Sequence, residues 1–227
     1  MYKRQDNNIV FFTETVMRSL ELSDDVPSLI KPVSRTIYGL INAGEIGQAF
    51  DLWINTTEKA GIKNVSLPEN KANTNMEPLN YNPDLLDIAS PAPFNWTFYP
   101  GKDVLIENGL DNIYISFSGD SPKTVGMQYF KPPLGPLSLM VDGEYHYKHK
   151  QGNFFLNLKC LTQVTPEYIL ELDAKSNEGN IQKKTFDGFS ENCTLASIKL
   201  IAQPGIFNER ISANIRKISV VSSEAIQ

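Results

Sequence analysis

Two histidines, His146 and His149, stand three positions apart, a spacing that invites a metal ion. The stretch 143–150 alternates as a strand does, and a strand turns residues three apart to opposite faces. The pair therefore cannot close on one ion. The same alternation groups Tyr145, Tyr147 and His149 on one face and Glu144, His146, Lys148 and Lys150 on the other, which is expected to face water. With only two histidines in the chain, neither a metal site nor a Ser/His/Asp triad is supported. Carboxylates are more plentiful. Glu107, Asp111, Asp120, Asp142, Glu144, Glu171 and Asp173 could in principle supply the two acids, about 5 to 10 Å apart, that cleave a glycosidic bond. Almost all of them flank turns, where acids serve solubility and turn chemistry, and no spacing selects a pair. A protein without catalytic activity, metal or cofactor is expected.

Binding chemistry is better represented. Sugars are held by aromatic rings stacked on the apolar side of a pyranose and by amides and carboxylates that grip hydroxyls. Trp96, Tyr99, Tyr114, Tyr129, Phe130, Tyr145 and Tyr147 supply rings; Asn95, Asn112, Asp120 and Gln128 supply polar groups. Aromatics at alternate strand positions mostly build cores, so the expected ligand-facing set is Tyr99, Tyr114, Tyr129, Asn112, Asp120 and Gln128. Trp96 and Trp53 are expected as buried structural anchors. The two cysteines, Cys160 and Cys193, belong to no CxxC pair, which argues against zinc and thioredoxin-type chemistry. Count alone leaves a disulfide and two buried thiols equally open.

These residues must be placed by a chain of 227 residues with 26 acidic and 21 basic side chains and 41% hydrophobic content, enough for a sizeable core. The charges are mixed along the chain and net to -5, with no basic stripe for a phosphate backbone, so nucleic acid is not an expected partner. No stretch reaches the roughly 18 apolar residues of a membrane span. Residues 1–5 look like translated adapter sequence at the edge of a metagenomic reading frame, which predicts that the natural protein extends further toward its N-terminus.

Apolar residues recur every three or four positions through 8–22 (Ile9, Phe12, Val16, Leu20), then from Pro27 (Ile30, Val33, Ile37, Leu40, Ile41), and again through 45–60 (Ile46, Ala49, Phe50, Trp53, Ile54). They predict three helices, the last capped by Gly61, with 42–44 as a tight hairpin turn. Residues 62–92 read as a connector packed on the surface. Strands are expected over 95–99, 104–107, 112–117, 125–130, 143–150, 154–160, 167–173, 194–201 and 211–221. Turn dipeptides such as Asp142-Gly143 and Gln151-Gly152 separate them. Few helical signals intervene, so an antiparallel sandwich is the natural architecture.

The run Tyr38-Gly39-Leu40, Ala43-Gly44, Ala49-Phe50-Asp51-Leu52-Trp53 resembles the end of a tetratricopeptide-type array. Further on, Asn82-Pro83-Asp84, Pro93-Phe94-Asn95-Trp96 and Gly143-Glu144-Tyr145-His146-Tyr147 resemble galactose-binding-like jelly rolls, the fold of many carbohydrate-binding modules. The whole chain is similar to bacterial extracytoplasmic proteins that place such a sandwich after tetratricopeptide-like helices. That resemblance implies a Cys160–Cys193 bridge and an envelope-facing or periplasmic location. It also brings up a structural calcium, for which Asp84 and Asp87 could serve, but Asn214-Ile215-Arg216-Lys217-Ile218 offers no second carboxylate, so none is expected. The expected organisation is mainly β: a helical region over 1–61, the connector over 62–92 and a jelly-roll β-sandwich over 93–227. The expected function is non-catalytic binding of a glycan by stacking and hydrogen bonds. The alternative is a protein-interaction scaffold that holds a partner through its helices, with the sandwich as an end piece.

Overall fold

The periodic apolar stripes fold as helices α1 (Lys3–Leu22), α2 (Val26–Asn42) and α3 (Ile46–Lys59) in the computed structural model, which describes residues 3–23, 25–60, 80–85, 92–132, 134–147, 152–163, 167–172, 181–205 and 209–222. Pro27 takes the second position of α2, where its missing N–H costs nothing, and Gly44 adopts a positive φ of 84° in the turn before α3. Because α2 begins at Val26, Pro32 lies deeper than the first turns; it sits on the exposed side and the helix runs through it. Val33, Ile37 and Leu40 of α2 and Ala49, Phe50, Leu52 and Trp53 of α3 are buried. Two threonines, Thr56 and Thr57, are also buried. Their hydroxyls donate back to the Leu52 and Trp53 carbonyls, so the burial leaves no polar group unpaired. Ala60 closes α3; the expected cap Gly61 lies outside the described residues.

The chain divides into two compact units, Met1–Ser66 with Asp87–Asn95 and Leu67–Leu86 with Trp96–Gln227. Phe94, placed by the sequence at the start of the sandwich, therefore belongs with the helices. Its ring stacks on Phe50 at 4.0 Å between centroids and meets the edge of Trp53 at 5.7 Å.

The second unit is an antiparallel β-sandwich. One sheet has the order β1-β4-β9-β6-β7 and the other β2-β3-β10-β5-β8. The first sheet comprises β1 (Thr97–Phe98), β4 (Lys123–Phe130), β9 (Ala196–Gln203), β6 (Asn153–Cys160) and β7 (Tyr168–Leu172). The second comprises β2 (Val104–Asn108), β3 (Ile113–Phe117), β10 (Ile211–Ser222), β5 (Leu137–His146) and β8 (Ile181–Phe186). Inward positions alternate as the pleat requires: Phe154, Leu156 and Leu158 on β6, Ile198 and Leu200 on β9, Ile113, Ile115 and Phe117 on β3, Leu137, Leu139 and Val141 on β5. Trp96 is buried in this core.

Two strand expectations are corrected. Asp142-Gly143 is not a turn, because β5 runs through it from Leu137. Gly143 is there for space, since a Cβ at that position would lie 2.8 Å from the Tyr145 hydroxyl and 3.0 Å from the Asn214 carbonyl oxygen. The lysine-rich β8 was not anticipated at all. It is an edge strand of its sheet, where lysines guard an open ladder rather than signal a loop.

Two cross-links tie the sandwich. Cys160, closing β6, and Cys193, preceding β9, form the disulfide that the resemblance implied, with Cα atoms 5.9 Å apart. Residues 80–85 form a polar clip. The Asn80 amide donates to the Ile218 carbonyl (2.9 Å) and to Gln128 Oε1 (3.2 Å), and its oxygen accepts from the Val220 N–H (2.7 Å). One side chain thereby joins β10 of one sheet to β4 of the other.

Candidate functional site

Outward-facing side chains of a sandwich lie outside its shared core, so they are the ones a ligand can reach. On the first sheet, β6 turns Asn153, Phe155, Asn157 and Lys159 away from the core, because Phe154, Leu156, Leu158 and Cys160 fill it. Register then fixes their neighbours. Asn153 lies opposite Gln203 of β9; Phe155 lies between Ile201 of β9 and Glu171 of β7; Asn157 lies between Lys199 of β9 and Ile169 of β7. An aromatic ring thus occupies the middle of a largely polar field that also holds Ile201 and Ile169.

At one end of this field is a cavity of about 430 Å³ lined by Asn153, Phe155, Ile169, Glu171, Gln203, Pro204 and Gly205. Pro204 and Gly205 lead from β9 toward β10 and form its wall. That wall is fixed by close backbone packing, for a Cβ on Gly152 would stand 2.8 Å from the Gly205 nitrogen. Asn153 is 8% exposed; its Nδ2 donates to Glu171 Oε1, while its Oδ1 is buried without a hydrogen-bond partner among the described residues. Leaving a buried acceptor unmatched costs about 1 to 3 kcal/mol, so this oxygen is poised for a donor that the described residues do not supply.

Beyond Phe155 a second amide–carboxylate pair repeats the theme. Asn157, also 8% exposed, donates to Glu167 Oε2 at 2.6 Å, and Lys159 Nζ donates to Glu167 Oε1 at 2.8 Å. The Lys159 and Asn157 hydrogen bonds hold the Glu167 carboxyl below its ordinary range, so it is an ionised acceptor near neutral pH.

The expected ligand-facing residues are dispersed. Tyr129 on β4 points away from the core filled by Phe130, and Tyr99 follows β1; the two are half-buried and close enough to interact electrostatically. Burial, and for Tyr99 also the neighbouring Tyr129, raises their hydroxyl pKa values. Tyr114 instead faces outward from the second sheet, between Glu107 and Asn214. Asn112 sits in the β2–β3 hairpin and Asp120 in the exposed β3–β4 connection. Gln128 is 0% exposed, and its amide donates to the Tyr81 carbonyl at 2.6 Å, beside its contact with Asn80. Outer faces of opposite sheets cannot converge on one ligand, so Tyr114 does not share a site with Tyr99 and Tyr129.

Among the carboxylates, Asp142 and Glu144 of β5 come together. Both are taken by Arg216, the extra residue at a bulge of β10. Its Nη2 lies 2.8 Å from Asp142 Oδ1 and its Nη1 3.1 Å from Glu144 Oε1. These hydrogen bonds raise the guanidinium pKa further. Asp84 pairs with Lys217 at 3.1 Å; Asp87, His149 and Asp173 lie outside the described residues. His146 is exposed at the end of β5, and no cluster of three or more potential metal ligands occurs among the described residues.

Asn153, Phe155, Asn157, Glu167 and Gln203 were not singled out from the sequence. A signal was present: in Asn153-Phe154-Phe155-Leu156-Asn157-Leu158-Lys159-Cys160, alternation leaves Phe155 as the one aromatic on an otherwise polar face.

No protein-family model matches the chain, and no curated protein does. Solved structures with a similar arrangement include TmCBM61 in complex with beta-1,4-galactotriose (10% identity, TM-score 0.37, 56% of this chain and 88% of that one). A second is the C-terminal family 22 carbohydrate-binding module of Clostridium thermocellum Xyn10B (9% identity, TM-score 0.30, 56% and 86%). A third is the agarase AgWH50C (10% identity, TM-score 0.41, 65% of this chain and 24% of the enzyme).

Proposed function

We propose that the sandwich is a non-catalytic glycan-binding module whose site is the outer face of the first sheet around Phe155. The observation that carries this reading is the unmatched Asn153 oxygen beside a half-buried aromatic ring on the wall of a cavity. A pyranose has one apolar face and many hydroxyl donors. Phe155 offers the ring for the former, while Asn153 Oδ1, Gln203 and Glu171 accept from the latter. Tyr99 and Tyr129 supply further aromatic surface on the same side of the sheet. Arg216 supports the non-catalytic reading, because it engages both Asp142 and Glu144 and leaves that pair without a free acid and base. The disulfide supports an extracytoplasmic setting, since such bonds persist in oxidising compartments. The three helices are read as the end of a tetratricopeptide-like array.

The test is a glycan array followed by calorimetric titration of the best binder against the wild type, Phe155→Ala and Asn153→Ala. Each substitution is expected to weaken binding at least tenfold, about 1.4 kcal/mol, with the thermal midpoint of the protein preserved. Binding that survives both substitutions, or no binding to any glycan of the array, overturns the proposal.

A further inference from the structure

The glycan-binding reading locates one sugar at the Asn153 cavity; the same strand carries a second station. Asn153–Glu171 and Asn157–Glu167 are equivalent amide–carboxylate pairs, each built from an outward asparagine of β6 and a glutamate from the β7 side. They flank Phe155 at two residues' distance on either side. Four residues of strand separate the asparagines by about 13 Å, a span that one pyranose ring cannot reach and that a trisaccharide covers. No inward polar function explains the repetition, since the core side of β6 is uniformly apolar.

Resting on the glycan reading above, we infer that the ligand is an extended, internally bound oligosaccharide lying along β6. One unit sits on Asn153–Glu171, one over Phe155 and one on Asn157–Glu167. The field selects for an open chain with hydroxyls on both edges. Across the strands, half-buried Ile201 extends the apolar surface beside Phe155 on one side while Glu171 stands on the other, matching a unit that stacks on Phe155 with a hydroxyl at its edge. At the Asn157 end, Lys159 neutralises Glu167, while each carboxylate oxygen keeps a lone pair for a hydroxyl. A compact terminal sugar would use the Asn153 cavity alone and gain nothing from the second pair.

The experiment is calorimetric titration of the full chain with β-1,4-linked glucose and xylose series, from monosaccharide to hexasaccharide, chosen because this linkage gives extended chains. The expected affinity rises at least tenfold from monosaccharide to trisaccharide and is flat beyond it. Asn157→Ala is expected to return the trisaccharide to the affinity of the disaccharide while leaving the monosaccharide unchanged. Asn153→Ala is expected to weaken every length. Glu167→Gln keeps the side-chain volume and serves the same comparison if Asn157→Ala does not fold. Affinity independent of chain length, or equal loss for mono- and trisaccharide in the Asn157 and Glu167 variants, overturns the extended-chain inference and leaves the single-sugar site standing. Absence of binding at every length in both series, and across the glycan array, overturns the glycan reading itself.

Discussion

The Cys160–Cys193 disulfide gives the most quantitative test of how the sandwich is stabilised. It joins the end of β6 to the segment before β9, strands already paired over eight register positions, so in the folded state it adds little that the ladder does not provide. Its effect belongs to the unfolded chain. The bond closes a loop with a sequence separation of 33 that contains β7 and β8, and the chain-entropy model gives a stabilisation of about 4 kcal/mol for a loop of that size. Both sulfurs are buried, so Cys160→Ala with Cys193→Ala removes the bond without exposing thiols. Urea unfolding should be followed separately by near-ultraviolet dichroism and by helical ellipticity, because the helical unit need not melt with the sandwich. With a slope of about 2 kcal/mol per molar urea, the sandwich midpoint should fall by about 2 M. The slope itself should rise, since an uncrosslinked chain exposes more surface. A loss below about 1 kcal/mol with native dichroism retained would show that loop entropy is not what the bond contributes.

Other perturbations test the packing. Asn80→Ala removes the partner of the buried Val220 N–H and Ile218 carbonyl; at about 1 to 3 kcal/mol per orphaned group, a loss near 3 kcal/mol is expected in the same urea titration, and a loss within experimental error would mean that residues 80–85 are not a clip. Gly143→Ala should cost about 1 to 3 kcal/mol by overpacking against the Tyr145 hydroxyl and the Asn214 carbonyl. Tyr145→Phe removes a buried hydroxyl that has no partner among the described residues; it should be neutral alone and should recover part of the Gly143→Ala loss, so a double variant no better than Gly143→Ala refutes the steric account. Phe94→Ala should destabilise the helical unit by about 3 to 5 kcal/mol, read as a lower midpoint in helical ellipticity with the sandwich signal unmoved; a drop in the sandwich transition instead would contradict the assignment of Phe94 to the helices.

Legibility followed the range of the interactions. The helices were readable from Val33, Ile37 and Leu40, because their period is a property of adjacent turns, and most strands were readable from alternation such as Phe154, Leu156, Leu158. Errors came where one local signal had two physical meanings. Asp142-Gly143 suits a tight turn, yet the glycine serves to admit the Tyr145 ring within a continuous strand. The lysines of β8 suit a loop, yet they also suit a sheet edge. The pairing of Cys160 with Cys193 came from a resemblance, since two cysteines alone do not declare a bond.

The sequence by itself determined the two structural grammars, the core faces and the supply of rings and amides, because each depends on residues within a few positions of one another. Only the tertiary structure decided which outward residues share a surface. Tyr114 and Tyr129 are equivalent in sequence pattern but lie on opposite sheets, while Asn153, Phe155, Glu171 and Gln203, from three strands, meet at one cavity. That choice is made by strand order and register, which are set by the burial of both inner faces at once and leave no trace in any single segment.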